Sequence, residues 1–124
     1  MDIFFIKESE DLPGIKIDPN AGKLEFVGKS LPEDPTAFYI PVEEAVREYI
    51  KSPKPTTTIE LRLEYLNSSS QKRILEILSL FEKIINDKTK VYINWYYPGE
   101  DEDILEEGRD IAKILKLQVN LIPE

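Results

Sequence analysis

The chain has 124 residues, of which 41% are hydrophobic, and its formal net charge is −8. This length is typical of one globular domain with a single sizeable core, so we expect one domain over residues 1–124. The sequence contains no cysteine and no histidine. Disulfides, thiolate ligands, cysteine nucleophiles, the commonest general base and the commonest metal ligand are therefore excluded.

The charge balance also narrows the choice of partners. Twenty-four acidic residues oppose sixteen basic ones, and the basic residues are scattered among acids instead of forming a stripe. Such a chain would repel a phosphate backbone, so we expect neither nucleic acid nor a membrane as partner, and a basic protein surface fits better. No apolar run of ~18 residues occurs, and residues 1–6 do not match a secretory signal, which predicts a soluble, cytoplasmic protein.

Hydrophobic periodicity predicts strands and helices that follow one another along the chain. Prolines and turn formers separate the periodic segments. The expected strands cover residues 3–6, 15–17, 24–27, 57–65, 90–96 and 118–122, with a β-hairpin turning at 18–22, and the expected helices begin at Pro35, at Ser68 and at about residue 102.

Local signals predict where these helices begin and end. Asp34 before Pro35 is typical of a capped helix start, whereas Pro41 indicates a kink or a later start. The second helix is expected to end at about Asn86. Either acid at 101 or 103 is expected to cap the third helix.

The second half alternates strand, helix, strand, helix, strand, which is typical of parallel pairing through right-handed crossovers. We therefore expect an α/β fold, with a mixed sheet and three helices mainly on one face. The other face is expected to be half open, because polar residues occupy alternate positions of two strands. These polar positions are Glu60, Arg62, Glu64, Tyr92, Asn94 and Tyr96.

Residues 65–71, Tyr-Leu-Asn-Ser-Ser-Ser-Gln, stand where a strand gives way to an amphipathic helix. A hydroxyl at such a turn can cap the helix or, once phosphorylated, carry a phosphate near unpaired backbone N–H groups. Ser68 with Gln71 matches a capping box, which stabilises a helix by about 1 kcal/mol. On residues alone, capping is the simpler interpretation. Loops that follow parallel strands meet at one edge, so this turn should lie near residues 96–100.

Other clusters have ordinary structural explanations. The acids of residues 100–103 miss the spacing of a calcium loop and are typical complements of a helix start. Trp95 alternates with core positions and is expected in the core, while Tyr96 and Tyr97 are freer and suit a protein contact. Gly108 is expected to permit close packing of a helix against the sheet.

Three segments are more specific together than any one of them alone. They read Leu-Glu-Tyr-Leu-Asn-Ser-Ser-Ser at 63–70, Val-Tyr-Ile-Asn-Trp-Tyr-Tyr at 91–97, and Glu-Asp-Glu-Asp through Glu-Gly at 100–108. With the hairpin at 22–30 and the closing residues 120–122, the chain resembles the SiaC-type family of bacterial regulatory phosphoproteins. The resemblance implies a fold similar to STAS domains and anti-sigma-factor antagonists, no catalytic activity and no cofactor.

The resemblance also implies a partner switch controlled at the start of the second helix. A cognate protein kinase phosphorylates a hydroxyl there, a metal-dependent Ser/Thr phosphatase removes the phosphate, and the unmodified form activates a diguanylate cyclase in c-di-GMP signalling and biofilm control. The family hydroxyl, usually threonine, maps onto Ser68, with Ser69 and Ser70 as alternatives. The expected partner-binding residues are Tyr65, Leu66, Asn67, Ser68, Ser69, Tyr96 and Tyr97.

Two alternative functions stay open at this point. One is a constitutive interaction scaffold in which Ser68 only caps the helix. The other is a small enzyme or ligand-binding domain that uses the half-open face of the sheet.

Overall fold

The computed structural model describes residues 1–124 as one six-stranded sheet with three α-helices. The strands are β1 (Phe4–Ile6), β2 (Gly14–Asp18), β3 (Lys23–Ser30), β4 (Thr56–Leu66), β5 (Lys90–Tyr97) and β6 (Val119–Pro123), and the helices are α1 (Pro35–Ile50), α2 (Ser68–Ser79) and α3 (Glu102–Ile114). Neighbouring strands are antiparallel from β1 to β3 and parallel from β3 to β6. The predicted mixed sheet with an N-terminal hairpin is confirmed. None of the helices has the length and apolarity that crossing a bilayer requires.

All helices cover the same face of the sheet, as predicted. Each parallel crossover moves to the next strand in the same direction, and right-handed crossovers in one direction place every helix on one side. Leu24, Ile59 and Ile93 are paired neighbours across three strands of that face. They join the buried helical side chains in one cluster of 26 hydrophobic residues. The core therefore lies between this face and the helices.

The opposite face is open and carries a ladder of polar side chains. Glu60, Asn94 and Asn120 are neighbours on three adjacent strands. Asn94 Nδ2 donates to Glu60 Oε2 over 3.2 Å, and Asn120 Nδ2 donates to Asn94 Oδ1 over 3.0 Å. The Arg62 guanidinium lies 3.8 Å from the centre of the Tyr96 ring. These side chains satisfy one another where no helix covers them, which agrees with the predicted half-open face.

The first helix begins where the sequence predicts. Asp34 Oδ1 accepts a hydrogen bond from the Ala37 N–H over 3.1 Å, and Pro35 is the first helical residue. The helix then continues through Pro41 to Ile50, so the later start is wrong. The cap and the buried inner face of the helix offset the one backbone hydrogen bond that Pro41 removes.

The second helix is shorter than predicted. It ends at Ser79 instead of near Asn86, and a 3₁₀ turn, Leu80–Ile84, follows it. Ser79 Oγ donates to the carbonyl of Glu76 over 2.6 Å, a local bond that competes with regular helix. The apolar residues of the turn are buried at nearly helical spacing, which explains why periodicity predicted one longer helix.

A bulge near the end of β4 interrupts the strict alternation of inward and outward side chains predicted for this strand. Gly28 of β3, with φ of +98°, pairs with Leu63, and the pairing then skips Glu64. An extra residue in one strand turns the following side chains to the opposite faces. Tyr65 is accordingly 53% exposed, while Leu66 is 3% exposed. The bulge thus presents Tyr65 at the surface just before α2.

The predicted close packing of Gly108 is confirmed. A Cβ at this position would lie 2.5 Å from Trp95 Cδ1 and 2.8 Å from Leu121 Cδ2. Trp95 is in the core, as predicted, and its Nε1 donates to the carbonyl of Ile104 over 2.9 Å. The contacts of the indole ring therefore set both the distance of α3 from the sheet and its position along the sheet.

Gly108→Ala is expected to lower the free energy of unfolding by about 1–3 kcal/mol, because overpacking against Trp95 outweighs the ~1 kcal/mol gained in helix propensity. Urea denaturation followed by tryptophan fluorescence measures the change. Gly99→Ala is the control, since the nearest atom to a Cβ there is 3.8 Å away. An unchanged denaturation midpoint for Gly108→Ala would contradict the contact.

Candidate functional site

The start of α2 has a different cap from the one predicted. Asn67 Oδ1 accepts from the Ser70 N–H over 2.9 Å, and the Asn67 carbonyl accepts from the Gln71 N–H over 2.9 Å. Ser68 is the first residue of the helix, one position after the cap. The predicted capping box of Ser68 and Gln71 is therefore wrong, because the neighbouring asparagine, an equally strong capping residue, takes the role.

The three consecutive serines have different environments. Ser68 and Ser69 are exposed, whereas Ser70 is 0% exposed. Ser70 Oγ donates to the Ser30 carbonyl over 3.1 Å and accepts from Ser30 Oγ over 2.8 Å. In the folded chain the Ser70 hydroxyl is out of reach of a modifying enzyme, which removes one of the predicted alternative acceptors.

A buried chain of hydroxyl groups extends from Ser70 to α1. Because Ser70 donates to the Ser30 carbonyl, Ser30 Oγ donates to Ser70, and Tyr39 OH must then donate to Ser30 Oγ over 2.6 Å. Burial raises the pKa of Tyr39 to about 12, so the phenol keeps its proton at neutral pH. These satisfied bonds tie the start of α2 to the end of β3 and to α1.

Carboxylates line the surface on one side of Ser68. A cleft of about 470 Å³, which we name the acidic cleft, opens between the end of β4, the start of α2 and α3. Tyr65, Leu66, Asn67 and Ser68 line one side of it. The carboxylates that line it are Glu64, Asp101, Asp103, Glu106, Glu107 and Asp110. No lysine or arginine lines the acidic cleft, so it is strongly anionic.

The acids at the start of α3 have the helix-terminal role that the sequence predicts. Asp101 Oδ1 accepts from the Ile104 N–H over 3.0 Å, which makes Asp101 the cap. Glu102 and Asp103 lie in the first turn, where negative charge complements the positive end of the helix dipole. No group of acidic side chains is arranged to hold a metal ion. Their second role, as one wall of the acidic cleft, is visible only once α3 lies beside α2.

Glu107 is the carboxyl group most affected by this environment. Its Oε2 atom is buried and has no hydrogen-bond partner. Burial, followed by the charges of Asp103, Asp101 and Asp110, raises the pKa of Glu107 from 4.5 to about 7. The charge of the acidic cleft therefore changes near neutral pH. Sequence reasoning missed Glu107. The chain has 24 acidic residues, and nothing in the sequence pattern of the third helix marks this one as buried.

The predicted partner-binding residues near Ser68 differ in how far they are exposed. Tyr65 is exposed beside it in the acidic cleft. Leu66 is buried, so its side chain stabilises the core and is unavailable to a partner. Ser69 is exposed but does not line the acidic cleft.

The predicted tyrosine contacts of β5 lie elsewhere. Tyr96 is on the open face of the sheet under Arg62, and Tyr97 is half-buried against the core. The structure does not bring these two tyrosines to Ser68. None of residues 96–100, which were predicted to lie near the Ser68 turn, lines the acidic cleft; Asp101 and Asp103, just beyond them, do.

Comparison with known proteins identifies the family. The family model described as SiaC family regulatory phosphoprotein matches residues 6–124. The chain belongs to the SiaC family. An uncharacterized protein of Pseudomonas aeruginosa strain UCBPP-PA14 is 30% identical over 108 residues, which cover 87% of this chain and 86% of that protein.

Solved structures match the chain over its length. SiaC of Pseudomonas aeruginosa is similar with a TM-score of 0.87 at 26% identity, covering 100% of both chains. The crystal structure of the diguanylate cyclase SiaD in complex with its activator SiaC, also from Pseudomonas aeruginosa, matches with a TM-score of 0.88 at 25% identity. That match covers 98% of this chain and 99% of the other. The predicted family and fold class are confirmed.

The assignment of the cap predicts unequal effects of two neighbouring alanine substitutions. Asn67→Ala is expected to lower the free energy of unfolding by about 1 kcal/mol, because the Ser70 N–H loses its acceptor. Ser68→Ala is expected to change it by less than about 0.5 kcal/mol. Urea denaturation of both variants measures the difference, and the reverse order would show that Ser68 is the cap after all.

Glu107 predicts a pH-dependent stability. Its folded-state pKa lies above the unfolded value, so ionisation increasingly penalises the folded chain as pH rises from 4.5 to about 7. Glu107→Gln is therefore expected to raise the melting temperature above pH 7 and to have little effect below pH 4.5. Thermal unfolding across this range measures it, with the exposed Glu44→Gln as control. Parallel pH profiles for the two variants would contradict the assignment.

Proposed function

We propose that the chain is a non-enzymatic partner switch whose unphosphorylated form binds and activates a diguanylate cyclase. A cognate kinase phosphorylates Ser68 and turns the switch off, and a metal-dependent Ser/Thr phosphatase restores the active form. The whole chain acts as one domain in the cytoplasm, where it regulates c-di-GMP production and biofilm formation. Membership of a family of regulatory phosphoproteins and the complex of SiaC with SiaD support the proposal.

The observation that carries the proposal is the free, exposed hydroxyl of Ser68. Because Asn67 caps α2, phosphate on Ser68 breaks no bond of the helix start. Unpaired N–H groups and the helix dipole at this end favour an anion. Ser69 is also exposed, but Ser68 lines the acidic cleft, so a phosphate on Ser68 changes a concave surface that a partner would cover.

Charge and fit are enough to drive the switch. A phosphate adds about −1.5 to −2 charge to a cleft that already holds six carboxylates. Covering an unpaired dianion in an interface costs several kcal/mol, and a loss of ~3 kcal/mol weakens binding by about 150-fold. The buried bonds of Ser70 hold the turn in place, so no refolding is required.

The two alternative functions have less support. A constitutive scaffold would leave the exposed Ser68 hydroxyl without the capping role expected of it, because Asn67 is the cap. A ligand-binding domain would use the open face, where Glu60, Asn94 and Asn120 already hydrogen-bond to one another.

Variants of Ser68 test the switch against each full-length diguanylate cyclase of the source organism. Ser68→Ala is expected to bind and activate like the unmodified protein, whereas Ser68→Asp binds more weakly and phosphoserine at position 68 weakens binding by about 100-fold. Calorimetry measures the affinity, and conversion of GTP to c-di-GMP measures activation. Phosphoserine at position 69 is the matched control and is expected to have a smaller effect.

Two outcomes would overturn separate parts of the proposal. Equal affinity of Ser68→Ala, Ser68→Asp and the phosphoprotein would refute the switch. If the unmodified protein bound no cyclase, the proposed partner would be wrong. Mass spectrometry of the protein purified from its own cells tests the acceptor independently, because phosphate found only on Ser69 would exclude Ser68.

A further inference from the structure

Lys72 is the basic residue that follows Ser68 by one turn of α2. Residues four apart on a helix are neighbours on one face, with about 5–6 Å between their Cβ atoms. Both residues are exposed, and both line a cavity of about 460 Å³ between α2 and α3. Side chains of a helix tilt toward its N-terminus, so Lys72 is directed back toward Ser68. The ammonium group of Lys72 is therefore within reach of a phosphate on Ser68.

We propose that Lys72 is the intramolecular partner of the phosphate on Ser68 and holds it as a dianion in the cavity between α2 and α3, away from the acidic cleft. The inference rests on the proposed function and adds how the chain itself stabilises the phosphorylated state. Lys72 is a positioning residue in this scheme, because it acts on the phosphate and takes no part in its transfer.

Lys72 is free to take this role in the unmodified chain. The ion pairs of the chain involve other basic residues, and Lys72 takes part in none of them. Asp110 lines the same cavity but forms no ion pair with Lys72. A phosphate on Ser68 would thus gain a cation without breaking an existing pair. An acid that precedes a base by four residues is also the more favourable order on a helix, because this order agrees with the helix dipole.

The two neighbouring serines have no free base at the same spacing. The residue four positions after Ser69 is Arg73, whose guanidinium already pairs with two glutamates at 3.3 Å and 3.2 Å. Ser69 also does not line the cavity between α2 and α3. The residue four positions after Ser70 is the buried Ile74. Among the three hydroxyls, Ser68 alone has an exposed, unpaired cation on its own helix face.

The surrounding charges show what this cation does for the phosphate. The second pKa of phosphoserine is about 6, and nearby negative charges raise it by favouring the singly charged form. The carboxylates on the side of the acidic cleft are Glu64, Asp101, Asp103, Glu106, Glu107 and Asp110, and the ammonium groups on the other side are those of Lys72 and Lys113. A pair with Lys72 opposes the effect of the carboxylates and keeps the phosphate doubly charged at neutral pH.

Phosphorus-31 NMR of the full chain with phosphoserine at position 68 measures the second pKa of the phosphate. Lys72→Gln is expected to raise this pKa by about 0.5, because the dianion loses its nearest cation. Lys72→Arg keeps the charge and is expected to leave the pKa within about 0.2 of its original value. Lys113→Gln is the matched control, since it removes the same charge from the other wall of the cavity, and is expected to raise the pKa by less than about 0.2.

Thermal unfolding gives a second, independent measurement of the pair. Lys72→Gln is expected to lower the melting temperature of the phosphoprotein by about 2 °C more than that of the unmodified chain. Equal losses in the two forms would contradict the pair. So would a phosphate pKa that Lys72→Gln leaves unchanged, or that both glutamine variants raise by the same amount.

The outcomes separate this inference from the proposed function, because phosphoserine incorporated during synthesis of the chain requires neither kinase nor cyclase. If phosphoserine at position 68 weakens cyclase binding while Lys72→Gln leaves the phosphate pKa unchanged, the switch stands and the pair is wrong. If the pKa rises as expected but the unmodified protein binds no cyclase, the pair stands and the proposed partner is wrong.

Discussion

The position of Ser68 depends on how the start of α2 is anchored. The Ser30 carbonyl accepts from both the Asn67 N–H and the Ser70 hydroxyl, and Ser30 Oγ continues the bonds to Tyr39. All these groups except Asn67 are buried, so leaving any of them unpaired would cost about 1–3 kcal/mol. Two serines of the same turn therefore have different roles. Ser70 anchors the turn to the core, and the Ser68 hydroxyl stays free at the surface.

Ser68 lies at a boundary between two surfaces of opposite character. On one side is the acidic cleft, where burial and then neighbouring like charges raise the pKa of Glu107 to about 7. On the other side, between α2 and α3, Lys72 and Lys113 border apolar residues. A charge added at this boundary acts on both surfaces at once, so one covalent change can have a large effect without a change of fold.

Sequence reasoning succeeded where one local interaction decides the outcome and missed features that depend on neighbouring elements. Asp34 and Asp101 cap their helices by accepting hydrogen bonds from N–H groups only three residues further along the chain. Such local contacts can be predicted from the sequence. At α2, Asn67 and Ser68 are both good caps, and local propensity does not choose between them. The choice of Asn67 agrees with the inward direction of Ser70, which bonds to Ser30, forty residues away in the chain.

The sequence by itself determined the order of strands and helices, the parallel crossovers that place all helices on one face, and the family. The order and the crossovers follow from hydrophobic period and handedness, which act along the chain, whereas the family follows from the resemblance of three sequence segments. The tertiary structure alone decided the outward turn of Tyr65 after the bulge, the burial of Ser70, the raised pKa of Glu107, and the two surfaces that meet at Ser68. Each of these depends on which segments lie beside one another, and burial and electrostatics respond to that distance in space, not to separation in sequence.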